Sequence, residues 1–241
     1  MNLRPELPMT DDAGPKPMRE GAFYGRRRGK TLRSIPAGHI AHDLPAFALD
    51  PAALPDDLAT LFPLPVRALR LEIGFGGGEH LVGEAQRHPD IGYIGAEAFL
   101  NGLAKATASI ATLGLRNVRL YGDDVVPLLD RLPAGAFERI DLLYPDPWPK
   151  RRHWKRRFVR HDNLDRLARL LKSGGHFRFA TDIDEYGAWT LRHLLDDLRF
   201  QWTARGAADW LVPWQGWPGT RYEAKAKQAG RIPCYYEFLR I

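Results

Sequence analysis

Chemistry in this sequence gathers at one carboxylate, Asp146, set in the stretch Ile140 to Arg157, I-D-L-L-Y-P-D-P-W-P-K-R-R-H-W-K-R-R. The stretch opens as a short apolar strand and stops at Pro145. Asp146 then sits between two prolines, followed by Trp148 and the cations Lys150, Arg151, Arg152, Lys155, Arg156 and Arg157, with His153 and Trp154 among them. Proline fixes φ and removes a backbone donor, and the residue before a proline is pushed toward extended geometry. The expectation is therefore that Tyr144, Asp146 and Trp148 are extended and that the prolines aim the acid and the indole in set directions. A rigid acid–aromatic pair beside a dense positive patch suits a nucleobase read at its edge while its phosphates are gripped.

A second group of residues falls at strand ends. Ala68–Ile73 reads as a strand running into Gly74-Phe75-Gly76-Gly77-Gly78 and a helix from Glu79. Glycines let the backbone pass close to a ligand. Glu79 stands where a dinucleotide fingerprint has its third glycine, and a carboxylate at a helix mouth opposes a pyrophosphate. A cationic amino-acid head group fits better there, with Glu72 two residues before the first glycine. Glu97 closes the second strand, where an acid can take both hydroxyls of a ribose. Asp123 or Asp124 closes the third, where either can accept from an adenine amine. A nucleoside with a positively charged tail, S-adenosylmethionine, matches this set better than a dinucleotide does.

The elements that position these residues alternate. Strands at Ala68–Ile73, Ile91–Ala96, Val118–Tyr121 and Ile140–Tyr144 are separated by helices at Glu79–His88, up to about Leu113, and Val125–Leu132. Leu164, Leu167, Ala168 and Leu171 then mark one face of a helix, which Lys172-Ser173-Gly174-Gly175 is expected to end through a left-handed glycine cap. A fifth strand carries Phe177 and Phe179 to Thr181-Asp182, a helix runs from Asp184 to Leu198, and a sixth strand holds Phe200 and Trp202. A loop with Trp210, Trp214 and Trp217, expected to cover the core, leads to a helix near Tyr222–Ala229 and a last strand, Ile232–Ile241. Strand–helix alternation implies a doubly wound α/β fold, a mainly parallel sheet with helices on both faces. In such a sheet, ligands sit beyond the carboxyl ends of the strands, where Asp146 and the acids above all fall. Residues 1–40, rich in Pro, Gly, Arg and Lys, read as a flexible basic arm, and 41–241 as one domain.

Composition narrows the partners. The 241 residues carry a formal charge of +6, concentrated at Arg26–Arg33 and Lys150–Arg160, which favours a nucleic-acid footprint over diffuse charge. The single cysteine, Cys234, rules out an internal disulfide and a zinc set of cysteines. The eight histidines show no metal-binding spacing such as H-E-x-x-H, so no metal is expected. No run of about eighteen apolar residues exists for a membrane span, and the N-terminus has no apolar signal region. A cytoplasmic protein without membrane attachment is expected, with neither monomer nor homodimer selected.

With these residues in place, the sequence resembles the bacterial tRNA (guanine-N7-)-methyltransferases. The likeness is carried by L-E-I-G-F-G-G-G-E-H, the strand-end Glu97, Y-P-D-P-W-P-K-R-R-H-W-K-R-R, F-A-T-D-I-D and G-T-R-Y-E-A-K, from about Phe23 onward. The resemblance implies a Rossmann-like class I methyltransferase fold, S-adenosylmethionine as cofactor, and tRNA methylated on a guanine of the variable loop. It implies cofactor contacts at Glu72, the glycines Gly74, Gly76 and Gly78, Glu97 and an aspartate after the third strand, with Asp124 favoured over Asp123. Asp146 matches the active-site aspartate. Lys150, Asp182, Thr220, Arg221, Tyr222 and Glu223 match substrate-contacting positions, and Arg152, His153, Trp154, Lys155, Arg156 and Arg157 an RNA-contact segment. Local pattern offers competing roles for some of these. Thr220 and Glu223 have the spacing of a helix capping box, Asp182 that of an N-cap, and Lys150 of one more phosphate contact. Rival functions are weaker: an exocyclic-amine methyltransferase departs at Pro-Asp-Pro-Trp, and a dehydrogenase lacks its third glycine. A non-catalytic RNA-binding module leaves the intact glycines and acids unexplained.

Overall fold

The computed structural model describes Tyr24, Gly25, Arg27, Gly29 and residues 34–241, with side chains in the latter stretch from residue 38 onward. Most of the basic segment Phe23–Arg33 therefore lies outside the described residues. Helices α1 (Ser34–His42) and α2 (Leu44–Phe47) and a 3-10 turn at Leu58–Leu61 come first. Next β1 (Ala68–Ile73), α3 (Glu79–Arg87), β2 (Ile91–Ala96), α4 (Leu100–Leu113), β3 (Val118–Tyr121), α5 (Val125–Arg131), β4 (Phe137–Leu143), α6 (His161–Leu170), β5 (Leu171–Thr181) and α7 (Asp184–Leu195) alternate. They are followed by β6 (Phe200–Trp202), α8 (Ala208–Leu211), α9 (Arg221–Gln228) and β7 (Cys234–Arg240).

The sheet runs β3-β2-β1-β4-β5-β7-β6, with β1 to β5 parallel and β7 antiparallel to both its neighbours. Successive side chains of a strand point to opposite faces, and β2 shows the consequence. Ile91 and Tyr93 pack with Leu81 of α3 and Leu103 and Ile110 of α4, whereas Ile94 and Ala96 pack with Leu128 of α5 and Leu164 of α6. All six residues of β2 are buried, as expected for a parallel strand covered on both sides.

The expected alternation stands, with four local corrections. Helix α1 begins at Ser34, inside the span read as a flexible arm to residue 40. Strand β4 begins at Phe137 rather than Ile140, because its charged residues are paired inside the fold. Arg139 donates to Asp141 (2.9 Å) and Glu84 (2.5 Å), and Glu138 accepts from Arg70 (2.6 Å). Burial alone would raise the Glu84 pKa, but the Arg139 charge outweighs it and holds the group at about 2. Helix α6 ends at Leu170 without a glycine cap. Leu171 is already extended, and Gly174 (φ 76°) lies within β5, where the register against β4 shifts between Phe137 and Arg139. Helix α7 stops at Leu195, so Leu198, 88% exposed, is not on its packed face.

The glycine turn after β1 is shaped by α4. Gly74, Gly76 and Gly78 all have positive φ (72°, 58° and 79°), the region glycine enters without steric cost. A Cβ on Gly102 of α4 would lie 2.2 Å from the Gly76 carbonyl oxygen. Exchanging Gly102 for alanine improves helix propensity by about 1 kcal/mol, but overpacking against fixed backbone costs about 1–3 kcal/mol. The clash should win, so Gly102→Ala is expected to lower the melting midpoint, by roughly 2–4 °C per kcal/mol of destabilisation. A midpoint that rises would show that the turn yields freely.

Candidate active site

The ends of β1, β2, β3 and β4 open onto a cavity of about 930 Å³. Gly74, Gly76, Glu97, Asp123, Asp124, Tyr144, Asp146 and Trp148 all stand on its wall, so residues spread over more than seventy positions of sequence meet at one edge of the sheet. Glu97 accepts from the backbone N–H of Gly76 (2.6 Å) and of Phe99 (2.8 Å), tying the glycine turn to the end of β2. Asp124 is buried and caps α5 by accepting from Val126 N–H (3.1 Å), which fixes its orientation. Asp123 is more exposed and pairs with Arg27 (2.5 Å), an ion pair worth at most about 1 kcal/mol at the surface. Burial raises the pKa of Glu97, of Asp124 and of Asp146.

The corner that carries Asp146 departs from expectation. Tyr144 and Trp148 are not extended: their φ values are 51° and 44°. They are the two non-glycine residues with positive φ among those described. Such conformations cost about 1–3 kcal/mol each and persist where the surroundings over-determine them. Beyond the corner, Arg151–Arg156 wind into a 3-10 helix. Arg151, Arg152 and Lys155 are exposed on it, and the Arg156 guanidinium packs against the rings of Trp148 (4.9 Å) and Tyr24 (5.2 Å). His153 meets Trp148 edge-on at 5.8 Å. Trp154 is turned inward against Trp189 (5.5 Å), with its Nε1 buried, and is no open stacking platform.

Arg157 is the clearest correction to the basic run. It is 1% exposed and does not face outward. Its guanidinium lies 4.9 Å from the Trp154 ring, 5.0 Å from Trp189 and 5.2 Å from Tyr186. Nε donates to the Pro147 carbonyl (2.8 Å) and Nη2 lies 3.3 Å from Glu185. Each ring interaction contributes about 0.5–2 kcal/mol, set against a cost of several kcal/mol for burying the charge with Nη1 and Nη2 lacking hydrogen-bond partners.

Of the other expected residues, Glu72, Lys150, Asp182, Thr220 and Glu223 stand away from the cavity wall. Glu72 is buried and accepts from His80 Nδ1 (2.7 Å). Burial raises the Glu72 pKa. Burial alone would lower that of His80, but the Glu72 charge raises it. Lys150 is exposed at the start of the 3-10 helix. Asp182 is no N-cap: it pairs with Arg231 (2.5 Å), and α7 lacks a side-chain cap. Thr220 does cap α9, accepting from Glu223 N–H (3.1 Å). The Glu223 carboxylate is buried and accepts from Trp217, Lys227 and Tyr235, so only the Thr220 half of the capping box forms. Burial would raise the Glu223 pKa, and these donors lower it. Arg221 and Tyr222 reach the cavity and rest on the glycine turn, where a Cβ on Gly76 would lie 3.2 Å from Arg221 and 3.3 Å from Tyr222. Trp214 and Trp217 pack edge-on against each other and Tyr235, in keeping with a covering role.

Several wall residues carry no motif of their own. Asp130, Asp162 and Arg166 border the cavity, with Arg166 paired to Asp130 (2.6 Å). They come from helices whose apolar faces alone were legible. Among the described residues, no three His, Cys, Asp or Glu side chains gather as a metal-holding cluster, and no helix is long and apolar enough to cross a membrane.

The arrangement has known relatives. A family described as "Putative methyltransferase" matches residues 67–233. A "tRNA (guanine-N(7)-)-methyltransferase" of Rhizobium meliloti is 57% identical over 91% of this chain and 95% of its own length. One of Azorhizobium caulinodans is 57% identical over 92% and 96%. Among solved structures, the aminoglycoside resistance methyltransferase NpmB1 superposes with a TM-score of 0.55 at 15% identity, covering 78% of this chain and 94% of its own. TrmN from Thermus thermophilus gives 0.53 at 18%, covering 87% and 53%. These last two share the fold, a Rossmann-like methyltransferase sheet, and the close relatives share its sequence nearly end to end. The chain belongs to the tRNA (guanine-N(7)-)-methyltransferase family.

Proposed function

We propose that this chain methylates N7 of a guanine in the variable loop of tRNA, in the cytoplasm and without a metal. The observation that carries the reading is a single cavity with Asp146 on its wall, strand-end acids Glu97 and Asp124 beside it, and an exposed cationic turn next to the corner. S-adenosylmethionine supplies the electrophilic methyl group when bound. The residues present fit it: Gly74 and Gly76 bring bare backbone to the cavity wall while Phe75 between them is buried, and Glu97 retains acceptor capacity beyond its two backbone donors for a ribose diol. Asp124, oriented by its cap bond, would accept from the adenine amine.

Guanine N7 has an in-plane lone pair and no proton to lose, so no general base is required. The chain's task is to position the base and to stabilise charge. Holding reactants in line removes several kcal/mol from the barrier. Positive charge then grows on the guanine ring, and the Asp146 carboxylate on the cavity wall stabilises it. The same carboxylate accepts from the guanine N1–H and 2-amino group, which adenine does not present together. Arg221 and Tyr222 close the glycine side of the site, the exposed Lys150 reaches for the nucleotides next to the guanosine, and Thr220 and Glu223 hold α9 so that Arg221 and Tyr222 stay in place. The exposed Arg151, Arg152 and Lys155 grip phosphates.

Incubation with labelled S-adenosylmethionine and unmodified tRNA, followed by nuclease digestion and mass spectrometry, should place the label in 7-methylguanosine of the variable loop. Label in another nucleoside, or none, refutes the reading. Asp146→Asn should cut turnover about a hundredfold, the scale of losing one preorganised electrostatic group. Because burial raises the Asp146 pKa and the ionised form is the active one, wild-type turnover should fall as pH drops, beginning above the ordinary aspartate range. Normal turnover of the Asn variant would remove Asp146 from the mechanism. Replacing Arg151 and Arg152 by alanine should weaken tRNA binding and flatten the log–log salt dependence, by about 0.7–0.9 for each phosphate no longer neutralised. A salt dependence unchanged from wild type would place the footprint elsewhere.

A further inference from the structure

The strained corner around Asp146 needs something to hold it. Pro147 has no N–H, and Trp148 after it is in a left-handed conformation (φ 44°). The Pro147 carbonyl accepts from Arg157 Nε at 2.8 Å. Arg157 is in turn held by α7. Tyr186 and Trp189 flank its guanidinium at 5.2 and 5.0 Å, and Glu185 lies 3.3 Å from Nη2. The chain just after Arg157 is fastened to the same helix. The Tyr186 hydroxyl accepts from Phe158 N–H (3.1 Å), and Trp189 Nε1 donates to the Val159 carbonyl (2.7 Å). An unbroken path of interactions thus runs from α7 through one planar cation to the residue bonded to Asp146.

We propose that Arg157 is a positioning residue for methyl transfer: caged by Trp154, Tyr186 and Trp189, it clamps the Pro147 carbonyl and so sets the direction of the Asp146 and Trp148 side chains. It does not contact RNA, despite standing in the cationic run. The chemistry calls for arginine in particular. The planar guanidinium stacks on several rings and keeps a donor in its plane, whereas a lysine ammonium offers a compact charge with no such fork. An apolar side chain of similar volume would fill the cage and leave the carbonyl without its donor.

This inference rests on the methyltransferase reading, and wild-type formation of 7-methylguanosine is the separate test of that reading. The test of the clamp is Arg157→Lys, assayed at saturating cofactor and tRNA alongside Arg152→Ala. For Arg157→Lys we expect kcat to fall at least tenfold, with the tRNA Kd, its salt dependence and the affinity for S-adenosylhomocysteine within twofold of wild type. Arg152→Ala should instead weaken tRNA binding and flatten its salt dependence. Trp189→Phe, which removes the bond to Val159 and thins the cage while leaving Arg157 in place, should lower kcat in the same direction with tRNA affinity kept. The proposal is overturned if Arg157→Lys keeps the wild-type kcat, or if it loses tRNA affinity and salt dependence while kcat at saturation is retained. Should Arg157→Lys fail to fold, an unchanged kcat in Trp189→Phe overturns it equally.

Discussion

The register of the parallel strands is the constraint on which the site depends. Ile73 pairs with Ala96 and with Leu142, and Ala96 pairs with Tyr121. The four strands therefore end level with one another, and the next residues of each emerge at the same edge. Gly74 and Glu97 come directly after that level, Asp123 and Asp124 shortly after it on β3, and Asp146 four residues after it on β4. A one-residue slip in any pair would send a strand's side chains to the opposite face. Burial on both faces forbids the slip, because the apolar residues of β1, β2 and β4 have helices to meet on each side. Core packing, far from the cavity, is thus what gathers the acids.

The cavity holds charge of both signs. Glu97 and Asp124 sit where burial disfavours their ionised forms, so each gains from a cationic ligand more than a solvated carboxylate would, whereas Asp146 stands exposed on the wall. Perturbed carboxylates that share a cleft mark functional sites. The acids Glu84 and Glu223 behave in the opposite sense: their partners hold them ionised, and they fasten helices in place. On the same wall stand the cations Lys155, Arg156, Arg160 and Arg221. A molecule with a cationic tail on one side and a phosphate-bearing base on the other matches that division.

Much of this was legible in the residues. Strands β1, β2 and β3 and the residues closing them follow from apolar runs broken by glycine or acid, and Asp124 follows from the start of a helix. What stayed hidden shares one cause: a side chain's partner lies far away in sequence. Glu138 and Arg139 read as loop because their partners, Arg70 and Glu84, are on other elements. Arg157 reads as one more surface cation because its cage comes partly from α7. The bond between Glu72 and His80, the second residue of α3, has no spacing in the sequence that announces it. The left-handed Tyr144 and Trp148 run against the local preference before proline, and only the assembled corner explains how they persist. Gly102 looks like a weak point in a helix until the Gly76 carbonyl is seen against it.

The central claim is geometric: the methyl donor lies across the tips of β1 to β3 and turns its reactive end toward the corner that carries Asp146. A crystal structure of the chain with S-adenosylhomocysteine tests it most directly. The account predicts the adenine beside Asp124, the ribose at Glu97, and the sulfur on the side of the cavity that faces Asp146. A nucleoside bound away from the glycine turn, or bound there with its sulfur directed away from Asp146, would contradict it.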